Sequence, residues 1–128
     1  RQMCIRDSIV AGGRVGAVAS EASRALRDRA TIALFNLDDD QAIDAFRAAT
    51  VADPRDAAAF RGLASALLVR IAMDRGTMTI DSYLGSVARA DVALAPPPPE
   101  LAREFHAAID RSIALARQSV AERPRDPQ

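Results

Sequence analysis

The chain has 128 residues, 49% of them apolar, and 17 basic side chains balance 17 acidic ones to a formal net charge of zero. That length and apolar content fit one domain with a packed core, and the balanced charge without a basic block argues against a dedicated nucleic-acid binder. One Cys and one His exclude a disulfide framework and a Cys-rich zinc site, and the lack of any lysine excludes Schiff-base chemistry and a Walker-type phosphate site.

Residues 1–8, RQMCIRDS, resemble a translated sequencing-adapter read and are set aside from fold reasoning. Residues 9–20, IVAGGRVGAVAS, are apolar and glycine-rich. Ala17-Val18-Ala19 has the small-x-small form of a signal-peptidase site, but Arg14 interrupts the stretch. Residues 1–19 are therefore a leader or artefact, and an exported and a cytoplasmic location both stay open. The stretch Ala11-Gly12-Gly13-Arg14-Val15-Gly16 also approaches a dinucleotide-binding fingerprint, with ATIALFNLDDD as a second strand ending in an acid. A nucleotide-binding fragment over residues 9–40 is thus one alternative. Nowhere does an apolar run approach the roughly 18 residues of a membrane span.

From Ser20 onward the apolar spacing is helical, and no segment sustains strand alternation. The spacing predicts a helix over about 20–36, with Leu26, Ala30, Ala33 and Leu37 in one stripe. A second helix is predicted over about 40–52, with Ala42, Ala45, Phe46 and Ala49 on one face. The run Asp38-Asp39-Asp40 before it lacks the ligand spacing of a calcium loop and reads as a capped turn. Asp53-Pro54-Arg55-Asp56 ends the second helix, because the residue before a proline is pushed out of the helical region.

A third helix is predicted over about 57–74, with Phe60, Leu63, Ala64, Leu67, Leu68 and Ile71 inward. Residues 75–99 are less regular: Gly76 breaks the helix, and Thr79 or Asp81 starts a shorter one through Tyr83, Leu84, Val87 and Val92. Pro96–Pro99 form a stiff spacer, read as a helix stop rather than as a ligand for a proline-binding domain. The last helix is predicted over about 99–122, its stripe being Leu101, Phe105, Ala108, Ser112, Leu115, Ser119 and Val120. His106 lies off that stripe, with no nucleophile or second ligand placed near it.

Self-comparison reveals a repeat. Residues 42–56 (AIDAFRAATVADPRD) align with residues 112–126 (SIALARQSVAERPRD) at an offset of 70. Ile43 matches Ile113, Arg47 matches Arg117, and Pro54-Arg55-Asp56 matches Pro124-Arg125-Asp126.

On these residues the chain resembles a tetratricopeptide repeat, whose unit is a helical hairpin of about 34 residues. Ala42, Phe46, Ala49 and Pro54 match the small, aromatic, small and proline positions of the second helix; Phe60, Leu63, Ala64 and Leu67 match the next first helix. Leu26, Arg29, Ala30 and Ala33, and Ser112, Ala116, Ser119 and Pro124, match less fully. LFNLDDDQAIDAF further resembles the opening of divergent bacterial proteins of this type. The resemblance implies an all-α stack of hairpins over 20–128, with an insertion at about 75–99. It also implies a next hairpin after Gln128, so the chain reads as a fragment inclined to self-associate.

Such an array is expected to be a protein–protein interaction or scaffolding module without catalytic activity, cofactor or metal. A structural accessory domain of a larger exported protein is the other reading. The implied groove is lined by first helices, at Arg27, Asn36, Arg61, Ser65 and Leu68. Arg61, Arg70, Arg75, Arg103, Arg111 and Arg117 are candidates for gripping an acidic peptide, weighed against a solvated surface of alternating charge. The residues do not identify the partner.

Overall fold

The structure is a computed structural model that describes residues 19–77 and 95–122. Among these it contains four helices and no strand: α1 Glu21–Phe35, α2 Asp39–Ala52, α3 Ala57–Asp74 and α4 Pro99–Glu122. The glycine-rich stretch, the short helix expected between Thr79 and Val92, and Pro124 lie outside the described residues.

The first three helices each begin where a side chain satisfies free backbone N–H groups. The side chains of Ser20, Asp38 and Asp56 cap α1, α2 and α3, accepting from the backbone N–H of Ser23, of Gln41, and of Ala58 and Ala59. Asp39 and Asp40 sit in the first turn of α2, where carboxylates complement the helix dipole. Ala95–Pro98 lie outside helix, and Pro99 opens α4, where its missing N–H has no cost.

Two helices end in the same hydrogen-bonded turn. After α1, Asp38 N–H donates to Ala33 O and Leu37 N–H to Leu34 O. After α3, Thr77 N–H donates to Ala72 O and Gly76 N–H to Met73 O. Both are Schellman turns, which need a left-handed residue. Gly76 takes φ 65° and Leu37 takes φ 60°. Leu37 therefore leaves the α1 stripe on which its spacing placed it, and its side chain is exposed.

α1 packs on α2, α2 on α3 and α3 on α4, with a smaller contact between α1 and α3; the backbone of α4 does not come close to that of α1 or α2, although the Arg47 side chain of α2 reaches Glu104 of α4. The core runs through the crossings: Ala30, Ala42, Ile43, Phe46, Leu63, Ala64, Ala66, Leu67 and Ala108. Alanines at the crossings let backbones approach, and the larger side chains fill the space between. Burying each of Ile43, Phe46 and Leu67 contributes about 1.5–3 kcal/mol. The ring of Phe46 lies over the bare Cα of Gly62 in α3.

Three further expectations change. Leu68 is 53% exposed rather than inward. Ser119 and Val120 are exposed, so the buried stripe of α4 ends at Leu115. The strand required over ATIALFNLDDD for a nucleotide-binding reading is instead the end of α1, a Schellman turn and the start of α2. No described helix is long and apolar enough to cross a membrane.

Candidate functional site

Asp56 is the hub of the site. The proline turn after α2 ends at this residue, and its carboxylate is buried at the start of α3. Oδ1 accepts from the N–H groups of Ala58 and Ala59 at 3.0 and 3.3 Å. Oδ2 accepts from the Ser23 hydroxyl at 2.7 Å. Ser23 Oγ also lies 3.2 Å from Ala49 O, and the shorter contact takes its single proton. Arg27 Nε stands 2.9 Å from Asp56 Oδ2, with its N–H aimed off the oxygen, so the contact is an ion pair without a hydrogen bond. Burying a carboxylate costs free energy unless it is paired and hydrogen-bonded, and these contacts do both.

Next to it, Asp53 ties the ends of α1 and α2 together. Its Oδ2 accepts from Ser20 N–H at 2.8 Å and its Oδ1 from Arg55 N–H at 3.0 Å. The bond from Ser20, then that from Arg55, holds this carboxyl below its ordinary value.

These contacts fix the floor of a cleft of about 300 Å³. Arg24 and Arg27 of α1, Arg55 of the turn, Ala57 of α3, and Leu115 and Glu122 of α4 form its walls. Three arginines and two acidic residues, Asp56 and Glu122, thus line the cleft. Further along α3, Arg61, Ser65 and Leu68 line a smaller hollow of about 120 Å³ with Phe105, Ile109 and Ser112 of α4. Ser112 links the two, donating its hydroxyl proton to Ala57 O at 3.1 Å. Together they offer cationic donors at one end and an apolar seat at the other.

The five expected groove positions do not form one surface. Arg61, Ser65 and Leu68 come together; Arg27 belongs to the cleft beside Asp56; Asn36 is exposed at the far end of α1 and lines neither hollow. Of the packing positions, Ala42, Phe46, Ala49, Leu63, Ala64 and Leu67 are buried. Phe60 is half-buried beneath the Arg111 guanidinium, 6.0 Å from its ring centre. Pro54 is exposed, and its carbonyl accepts from Arg111 Nη2 at 3.3 Å.

Several arginines are committed to the fold. Arg70 bridges Asp40 of α2 and Asp74 of its own helix. Arg75 donates to Ala95 O, joining the two ends of the α3–α4 connection. Arg47 of α2 makes a bidentate pair with Glu104 of α4, both bonds 2.7 Å, and this contact holds the Glu104 carboxyl below its ordinary value. Arg24 and Arg55 carry no sequence signal beyond being arginines next to caps, and only the fold brings them to Arg27. His106 is exposed with its ring edge against Phe105. Among the described residues no cluster of His, Cys, Asp and Glu could hold a metal ion. The chain matches no family model, no curated protein and no solved structure.

Proposed function

We propose that the chain is a peptide-binding interaction module built of tetratricopeptide-like hairpins, and that its cleft takes an acidic segment of a partner protein. The observation that carries this reading is that Arg24, Arg27 and Arg55 line one open cleft, with a separate apolar hollow at Leu68 and Phe105 joined to it by the Ser112–Ala57 hydrogen bond. Guanidinium groups bind carboxylates in bidentate fashion, and an apolar seat beside them sets register. The hairpin reading is supported by helices packed in chain order, by α1 lying against α3, and by an open cleft in place of close backbone packing between α1 and α4. A closed four-helix bundle would pack those two together.

The test is fluorescence polarisation with a short labelled Glu-rich peptide ending in a free carboxylate and a Leu near that end. The wild-type chain binds it. R24A and R55A each weaken binding about tenfold, the scale of one charge-assisted hydrogen bond. Binding that is absent, or unchanged in both variants, overturns the proposal.

A further inference from the structure

Two exposed faces of the described helices correspond, by offsets within the chain, to the two sides of an existing contact. Along α4, Ile113, Ala116 and Val120 recur at steps of three and four, and all are exposed. Such spacing is a seam for one further helix. At the other end, α1 turns Ile32 and Phe35 outward, the latter 84% exposed.

These faces are equivalent to the two sides of a contact the molecule already makes. An offset of 70 carries α2 onto α4: Ile43 becomes Ile113, Phe46 becomes Ala116 and Arg47 becomes Arg117. An offset of 34 carries α1 onto α3: Ala30 becomes Ala64, both buried, and Leu26 becomes Phe60, both half-buried. Under it Asp28 becomes Gly62, Ile32 becomes Ala66 and Phe35 becomes Val69. In the chain itself α2 and α3 pack together, with Phe46 lying on Gly62.

We infer that α1 of a second copy docks on the α4 stripe as α3 docks on α2, giving a head-to-tail assembly. Complementarity of size supports the pairing. Within the chain the bulk is on α2, at Phe46, and the small residues are on α3, at Gly62 and Ala66. At the exposed faces the bulk is exchanged: α4 presents Ala116, and α1 presents Asp28 and Ile32. A swap that conserves volume preserves packing. A net charge of zero leaves no long-range repulsion between copies. Because the two faces differ, the contact is heterologous and each dimer keeps both faces open for further copies.

The experiment is sedimentation velocity over a hundredfold range of concentration, with far-ultraviolet circular dichroism as the check on folding. The wild-type chain shows a mass that rises with concentration beyond a dimer. F35R on α1 and I113R on α4 are each monomeric, and V120R serves in place of I113R if the latter loses helix. An equal mixture of F35R with the α4 variant yields one-to-one heterodimers and nothing larger, since each partner retains one intact face. A wild-type chain that is monomeric throughout overturns the inference. So does an F35R chain that still dimerises, which would mean that α4 pairs with α4. Neither result bears on peptide binding in the arginine cleft.

Discussion

The ring of Phe46 occupies the space that a side chain on Gly62 would need. This contact sets how closely α2 and α3 approach, and so where α3 holds Arg61, Ser65 and Leu68. Glycine inside a helix ordinarily costs about 0.5–1 kcal/mol relative to alanine. Here the order reverses, because Phe46 is buried and cannot swing away. G62A is expected to destabilise the chain by about 1–3 kcal/mol, the range for an overpacked core. Urea unfolding checks this, and a variant as stable as wild type or more so refutes it.

The buried pair Ser23–Asp56 is expected to be coupled. D56A removes a cap, returns the Ser23 hydroxyl to its longer contact with Ala49 O and leaves the Arg27 guanidinium without its partner, at a cost of about 3–5 kcal/mol. S23A removes one hydrogen bond to a charged group, at a cost of about 1.5–3 kcal/mol. A double-mutant cycle should then show a coupling of at least roughly 0.5 kcal/mol; strict additivity would mean the bond contributes nothing.

Leu37 offers a gain in stability. A left-handed conformation costs a residue with a Cβ roughly 1–2 kcal/mol, and glycine gives back about 0.5–1 kcal/mol of that in chain entropy. Since the Leu37 side chain is exposed, L37G loses little packing. It is expected to raise stability by about 0.5–1 kcal/mol, read as a higher melting temperature. A lower one contradicts the turn described for α1.

Stability should fall on acidification. The carboxyls of Asp53 and Glu104 are both held below their ordinary values, by Ser20 N–H and by Arg47 respectively. A carboxylate with a depressed folded-state pKa contributes stability above its unfolded value, near 4, and loses it as pH drops through the folded value. The melting temperature is expected to decline from about pH 5 downward, and D53N/E104Q is expected to show a shallower decline. Equal slopes for the variant and wild type would remove these two groups from the account.

The helices were legible because their ends carry chemistry that acts locally. Ser20, Asp38, Asp56 and Pro99 are starting residues wherever they stand before a helical pattern, and their helices begin there. Leu37 was misleading because periodicity extends through a turn that the backbone does not continue. Leu68 and Val120 were misleading for another reason: an apolar residue at helical spacing is buried only where a neighbouring helix covers it. Gly62 reads as a defect in the helix until Phe46, on a different helix, is placed against it. The cleft was the least legible part. Arg24, Arg27, Arg55 and Asp56 meet through a fold in which residues about 30 positions apart become neighbours, and no local spacing encodes that.

The cleft is also where the account is tested most directly. Amide chemical shifts of the labelled chain, titrated with the Glu-rich peptide, report the binding surface residue by residue. The account predicts saturable shifts at Arg24, Arg27, Arg55 and Ala57, extending to Ser65 and Leu68, with Asn36 unmoved. No shifts at any peptide concentration, or shifts confined to other surfaces, would contradict it.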